Sequence, residues 1–343
     1  MRIERFRADG DPARVGSCHD IMVAASEADD PGLPRMGRTV FDGWLTTGWT
    51  GEPRETWLGY GPDGSVAGWY LLEVPDRDNR HLGILEAFVV DPARRRQGFG
   101  TALLRHAAER ALADGRRLLT GAAIQDSPGD CFARSLGATA GQAEIRRRLD
   151  LAAMPAGLVA GLRASAQEAA AGYTLISWTR PTPEEYLDRM AAIELAMFDA
   201  PHDPSWQRPA WDAERVRATD RRRQLQKLRS YTVAARHDAT GDLAGVTQVE
   251  VAPDEPDWMY QGLTAVVRAH RGHRLGLLVK LAMLEWLAEA EPQRRWIITG
   301  NAETNEHMIA INEALGYQPF GRPVVGFEVP VADVLPAGAA ARS

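Results

Sequence analysis

Lysine is nearly missing from this chain: Lys227 and Lys280 are the only two among 40 basic residues, and the rest are arginine. The bias reads as that of a high-GC coding sequence. Cysteine is as scarce. Cys18 and Cys131 are too few for a disulfide framework or a thiolate metal site, and two reduced thiols suit a cytosol. No apolar run approaches the roughly 18 residues that cross a membrane. The opening MRIERFRADG carries charge where a signal peptide needs an apolar core. A cytoplasmic protein with no membrane partner is therefore expected. A net charge of −6 makes nucleic acid an unlikely partner.

What is present is a globular chain of 343 residues, 45% hydrophobic and 25% charged, long enough for two domains. Its arginines cluster at Arg94–Arg96, Arg116–Arg117, Arg146–Arg148, Arg221–Arg223 and Arg268–Arg274. Local positive potential on an acidic protein suits a small anionic ligand better than a polyanion.

Periodicity predicts a mixed α/β architecture. MRIERFRA alternates as an opening strand, and helices follow near Cys18–Ala28 and Arg38–Thr47. ETWLGYG and VAGWYLLEV form a hairpin about PDGS, and HLGILEAFVV is a uniformly apolar, central strand. A helix from Thr101 to about Ala113 puts Leu103, Leu104, Ala107, Ala108 and Ala111 on one face. The order of elements then recurs after an Ala/Gly-rich connection. Gly100 and Gly276, each opening a long helix, are 176 residues apart; Gly137 and Gly316, each closing a short one, are 179 apart. The expected domains are residues 1–150 and 172–334, with a connection at 151–171 that is partly helical and a tail at 335–343.

The stretch DPARRRQGFGTALL joins a strand to a helix through a basic, Gly-containing turn. The first N–H groups of a helix lack intrahelical partners, and the helix dipole favours negative charge there. Glycines admit a close ligand, and rim arginines add charge-assisted contacts to phosphate. A solvated basic turn is the plainer alternative. The turn lacks the Gly-Lys-Ser/Thr of a P-loop and the G-x-G-x-x-G of a dinucleotide site.

Arg95-Arg96-Gln97-Gly98-Phe99-Gly100, directly after FVVDP, matches Arg/Gln-x-x-Gly-x-Gly/Ala and resembles motif A of the GNAT superfamily of N-acetyltransferases. The second copy, Arg271-Gly272-His273-Arg274-Leu275-Gly276, is similar, with Arg274 in place of the first glycine. Downstream, Asn305, Leu315, Gly316 and Tyr317 fit the frame of the family's motif B. Both copies together resemble a tandem GNAT, the arrangement of mycothiol synthase.

The resemblance implies two GNAT folds and acetyl-CoA, or another acyl-CoA, as cofactor. It implies that the backbone N–H groups of Arg96 to Thr101 hold its pyrophosphate, with Arg95, Gln97, Gly98, Phe99 and Gly100 completing the loop. Phe88, Val89 and Val90 would pair with the pantetheine. In the second copy Val266, Val267, Arg271, Gly272, His273, Arg274, Leu275, Gly276 and Asn305 occupy the same roles.

GNAT enzymes transfer an acyl group directly to an amine, with a base and often a tyrosine as acid. The tyrosine should fall near Ala133 and at Asn312, and neither is a tyrosine. Asn312, grouped with Asn301 and Asn305, can hydrogen-bond sulfur or pantetheine but is a poor acid. Glu86 is the candidate base in the first copy, or else a strand glutamate facing solvent or an arginine. Gln261 and Gly262 offer no base in the second. His270 and His273 read as phosphate contacts or surface residues, and His202 and His307 as surface residues. Trp206 and Trp211 either wall a substrate groove or pack a loop.

The expected acceptor is a small-molecule or peptide amine, and the state a monomer or homodimer. Two other classes stay open: an aminoacyl-tRNA-dependent transferase, and a CoA-binding regulatory protein that has lost catalysis.

Overall fold

The computed structural model describes residues 1–48, 50–199 and 203–336; His202 and most of the expected tail lie outside them. In chain order the elements are β1 (Arg2–Phe6), α1 (Pro12–Asp29), α2 (Arg38–Thr47), β2 (Arg54–Tyr60), β3 (Val66–Glu73), β4 (Leu82–Val90), α3 (Phe99–Ala113), β5 (Leu118–Ile124), α4 (Pro128–Ser135) and β6 (Thr139–Asp150). There follow α5 (Leu158–Ala169), β7 (Tyr173–Thr179), α6 (Leu187–Ala196), α7 (Ala213–Leu225), β8 (Arg229–His237), β9 (Leu243–Val251) and β10 (Trp258–Val266). The last are α8 (Leu275–Ala290), β11 (Trp296–Ala302), α9 (Glu306–Ala314), β12 (Gln318–Pro319), β13 (Val324–Pro330) and α10 (Val331–Val334).

Two compact units result. Unit 1 is Met1–Glu144, Asp203–Gln207 and the chain from Gly321; unit 2 is Ile145–His202 and Arg208–Phe320. These limits differ from the expected 1–150, 151–171 and 172–334. The reason is β13, which runs antiparallel to β5 over its whole length, from Val324 opposite Ile124 to Pro330 opposite Leu118. Its buried Val325, Phe327 and Val329 therefore belong to unit 1.

Unit 1 has the strand order β1-β2-β3-β4-β5-β13-β6, with β6 entering through its first half. Only β4 and β5 are parallel among its register-paired strands. Both faces are covered, which is why β3 reads as a nearly unbroken apolar run. Trp69 and Leu71 pack with Phe6, Cys18, Phe41 and Trp44 on the α1/α2 face. Tyr70 and Leu72 pack with Leu103, Leu104, Ala107 and Ala111 of α3 on the other.

Unit 2 repeats the pattern with β6 (from Ile145)-β11-β10-β9-β8-β7, and β12 pairs Arg147 and Arg148 of β6. Its α8 face buries Val249, Met259, Leu278, Leu281, Ile297 and Tyr317, and its α6/α7 face buries Leu187, Ile193, Val216 and Val246. The expected connection is largely the helix α5, whose Ala166 is fully buried in the α8 core. Alanine is the best helix former, and a small residue lets α5 lie close on α8.

Candidate active site

In unit 1 the central parallel pair opens like a fork. Leu82, Gly83 and Ile84 of β4 face Leu118, Leu119 and Thr120 of β5, and the register ends there. β5 continues against β13, and β4 continues only against β3, so the β5-facing edge of β4 beyond Ile84 has no strand partner. Phe88, Val89 and Val90 lie on this edge and are half-buried. Leu71 faces Ala87 while Leu72 faces Leu85, which makes Glu86 the extra residue of a β-bulge. A bulge re-aims one side chain without breaking the sheet.

At the end of β4 the loop turns through a 3-10 segment, Pro92–Arg94, and enters α3. Arg96 and Gly98 both have left-handed backbone, with φ of 64° and 85°. No side chain caps α3 at its N-cap, Gly98, so the first helical N–H groups face outward, available to an anion. The arginines divide their work. Arg94 binds Asp63 and Ser65. Arg95 forms a bidentate pair with Asp29 at 2.6 and 2.9 Å and reaches the Val90 carbonyl at 3.4 Å, which pins the loop to α1. Arg96 stays exposed, as do Gln97 and Thr101, whereas Phe99 is buried. A Cβ on Gly100 would fill the gap between Phe132 and Val90, 3.8 and 3.9 Å away. A cleft of about 370 Å³ adjoins the loop, lined in part by Arg2, Tyr60, Gln97 and Gly98.

Unit 2 builds the same fork. Trp258, Met259 and Tyr260 of β10 face Trp296, Ile297 and Ile298 of β11, and a bulge follows between Gln261 and Thr264. Arg271 repeats the clamp, bonding the Val266 carbonyl at 3.3 Å and Asp199 at 2.8 Å. The left-handed positions are now Gly272 (φ 90°) and Arg274 (φ 53°). Glycine and arginine have exchanged places between the loops, and the backbone path is kept. Arg274 thus tolerates the glycine position, at the cost of an unfavourable φ. Its guanidinium bonds Ser165, and His273 bonds the Ala169 carbonyl, both on α5. Val267 donates its N–H to the Ala244 carbonyl, Leu275 is buried, and Gly276 leaves 3.3 Å between a notional Cβ and Ile311.

The side chains beside the two forks differ. In unit 1 the buried Glu73 lies opposite Ile84, on the same face as Trp69 and Leu71. Its carboxyl is hydrogen-bonded to Glu86 and to Thr50. Burial, then the Glu86 charge, raise the Glu73 pKa well above the carboxylate range, while Thr50 and Arg54 partly offset them. Glu86 Oε2 is buried without a hydrogen-bond partner.

At the equivalent bulge position unit 2 has Gly262, but an ionic cluster occupies the same face. Arg180 pairs with Asp220 and Glu250, and Arg223 with Glu250 at 2.9 Å. Glu194 of α6 stands among Arg180, Arg223, Asp220 and Arg215, and burial pushes it up to about 7 against the pull of the arginines.

On the α8 face Lys280, fully buried, donates to Gln261 at 3.0 Å and lies 5.1 Å from the Tyr317 ring centre. Burial brings its pKa down to about 7. Leu104 and Leu85 hold those places in unit 1. Asn312 is fully buried, donates to Asn301 at 2.7 Å, and its Oδ1 has no hydrogen-bond partner. Asn305 caps α9 by accepting from the Met308 N–H. His270 meets the Tyr173 hydroxyl, and burial lowers its pKa. His307 is exposed, and Trp211 packs against the α6/α7 core under Arg215. Trp206 belongs to unit 1 and Trp211 to unit 2, so the two do not form one wall within either unit.

Glu73, Arg54, Glu194, Arg180 and Lys280 were not read as site residues from sequence. A signal existed for three of them. Glu73 is the lone charge closing VAGWYLLE, Lys280 the lone charge in LGLLVKLAML, and Glu194 the lone charge in MAAIELAMF.

The Acetyltransferase (GNAT) family matches residues 20–128. No curated protein matches the sequence. Among solved structures, a tandem GNAT protein from the clavulanic acid biosynthesis pathway, without AcCoA, is 31% identical. The match covers 96% of this chain and 98% of that one, with a TM-score of 0.79. A GCN5-related N-acetyltransferase from Sphaerobacter thermophilus is 14% identical over 96% and 95%, with a TM-score of 0.63. A glucosamine N-acetyltransferase region of a fungal multi-domain β-N-acetylglucosaminidase is 13% identical over 95% and 38%, with a TM-score of 0.65. These last two show the fold alone. Among the described residues, no helix is long and apolar enough to cross a membrane.

Proposed function

The chain belongs to the GNAT acetyltransferase family as a tandem member, an acyltransferase, and from that premise we propose that it acylates the primary amine of a small molecule or peptide with acetyl-CoA or another acyl-CoA. The residues present suit such a donor. The uncapped first turn of α3, the left-handed Arg96 and Gly98, and the space at Gly100 favour a pyrophosphate on the N–H groups of Arg96 to Thr101. The unpaired edge at Phe88–Val90 suits the amide-bearing arm. The Arg96 guanidinium is free to add charge, and Arg95 acts by holding the loop. When bound, the donor supplies an electrophilic acyl thioester.

The observation that carries the reading is Glu86 on its bulge at the mouth of the fork. Its unpartnered Oε2 is an acceptor for an N–H, and burial together with the Glu86 charge favours the protonated form of Glu73 beside it. Glu86 thus takes the amine proton during attack, and Glu73 and Arg54 position it. The position near Ala133, where the resemblance puts an acid tyrosine, is not a tyrosine, and the departing sulfur takes its proton from solvent.

Thiol release from acetyl-CoA against a panel of amines tests the proposal. Turnover that falls by about 10²–10⁴ in Glu86→Gln is expected. Tight coenzyme binding with no turnover for any amine would favour a regulatory module, and turnover that needs charged tRNA would overturn N-acetylation.

A further inference from the structure

We infer that unit 2 is a second, independent transfer centre, in which Glu194 of α6 supplies the general base that Glu86 supplies from the strand bulge in unit 1. The inference rests on the acyl-CoA-dependent transfer proposed above.

The two units differ at one point of a repeated frame. Glu86 and Gly262 are each the fifth residue of the strand that leads into the anion loop, and each falls at a bulge directly after the fork opens. Loss of the carboxylate at Gly262 would by itself mark a spent copy. The surroundings of Gly262 say otherwise. A Cβ there would meet only the Gln248 carbonyl, at an ordinary contact distance of 3.7 Å, so the position is not closed off by packing.

The face of the sheet beside it carries a cluster of paired charges. Arg180, 8% exposed at its side chain, reaches the Gln248 amide oxygen at 3.5 Å and Glu250 at 3.3 Å. Glu250 stands opposite Tyr260, the last β10 residue registered with β11. The cluster therefore marks the mouth of the fork, as Glu73 does opposite Ile84 in unit 1.

α6 packs across β9 and β10 on this face, and Glu194 projects among Arg180, Arg215, Asp220 and Arg223. The roles within the cluster are separable. Asp220 is spent on Arg180 and on the Thr182 N–H at 2.7 Å. Glu250 is spent on Arg180 and Arg223. Among the described residues, no side chain hydrogen-bonds the Glu194 carboxyl, and the residue as a whole is only partly buried. It is the carboxylate of this face left for chemistry, and a pKa near 7 suits a base at neutral pH.

Unit 2 also retains the donor half of a centre: the shared loop path, the open strand edge, and the unpartnered Asn312 Oδ1 on the α9 side. In the step assigned to it, the amine nitrogen bonds to the acyl carbon as the carbon–sulfur bond breaks. One amine proton passes to the Glu194 carboxylate, and sulfur departs with the bonding pair as thiolate and takes a proton from water.

Glu86→Gln, Glu194→Gln and the double variant, followed by thiol release across pH 5–9, separate the two centres. Residual turnover in Glu86→Gln with an acid limb near pH 7 is expected. The double variant should lose that residue by at least about 100-fold and lose the limb, with the KM for acyl-CoA changed less than about threefold. Glu194→Asp in the same background should recover part of the rate, which a folding defect would not. Equal rates for Glu86→Gln and the double variant at every pH would overturn the assignment.

A second readout needs no turnover. In protein carrying ¹³C-carboxyl glutamate, one resonance titrating near pH 7 should vanish in Glu194→Gln and shift in the wild type when coenzyme A is added. No shift at saturating coenzyme A would overturn the site. That shift in a wild type that acylates no amine would keep the site and remove the transfer reaction instead.

Discussion

The two anion loops have nearly the same backbone and opposite residues at its two left-handed corners. In unit 1 they are Arg96 then Gly98, and in unit 2 Gly272 then Arg274. One αL arginine is tolerated per loop, at either corner, provided the other corner is glycine. What cannot vary is the clamp: Arg95 and Arg271 each tie the loop to the carbonyl of the last strand valine and to an aspartate at the end of a helical segment. The conserved charge is thus structural, and the exchanged one faces the ligand. The interiors then diverge. Unit 1 backs its fork with leucines and places its carboxyl pair at the bulge; unit 2 places Lys280 and Gln261 behind the fork and its ionic cluster in front.

Six substitutions sharpen or break this comparison. The largest effect belongs to Glu86→Gln, a fall of about 10²–10⁴ in kcat for the unit 1 reaction with KM for the donor little changed, read by steady-state kinetics. If kcat holds and KM rises instead, the bulge carboxyl binds rather than reacts.

Lys280→Met comes next, and its sign depends on pH. Burial holds Lys280 at about 7 against 10.5 when unfolded, so between these values the folded chain binds fewer protons. Stability from this group is complete above pH 10.5 and is lost as pH falls through 7. The gain in Tm over wild type should be on the order of several °C near pH 6–7 and should shrink toward pH 10. Glu73 and Glu194, raised rather than lowered, act with the opposite sign: their stabilising contribution is lost as pH rises through neutrality. Comparing the variant with wild type at each pH cancels them.

The clamps are unequal. Side-chain exposure is 21% and 17% for Arg95 and Asp29, against 48% and 28% for Arg271 and Asp199. Arg95→Ala should cost about 2 kcal/mol in denaturant unfolding, and Arg271→Ala under about 1 kcal/mol. Equal losses would mean that the two loops are not held in the same way.

Smallest is Arg96→Gly, which relieves a positive φ and removes a free guanidinium. It should weaken coenzyme A by about five- to tenfold in calorimetry without lowering Tm. Arg274→Gly, already bonded to Ser165, should change affinity less.

Much of this was legible in the sequence because it is local. α2 spans Arg38–Thr47 as its periodicity predicts, α3 opens two residues earlier than read, and Gly100 and Gly276 are each the second residue of their helix, one step inside the junction. What was not legible depends on distant partners. Arg95 reads as a phosphate ligand until Asp29, 66 residues away, claims it. β13 reads as the last strand of the second copy, since nothing within VVGFEVP says that it pairs with β5. α5 reads as a connection because alanine and glycine dominate it, though Ala166 sits in the core. Glu73 and Glu194 gain meaning only from the charges that neighbouring strands and helices bring to them.

The most direct test of the account is a crystal soaked with coenzyme A. It predicts the pyrophosphate on the N–H groups of Arg96 to Thr101, with Arg95 still on Asp29, and a second molecule at Gly272–Leu277. An empty loop at Arg96–Thr101 in a crystal that fills Gly272–Leu277, or the Arg95 guanidinium swung from Asp29 onto phosphate, would contradict it.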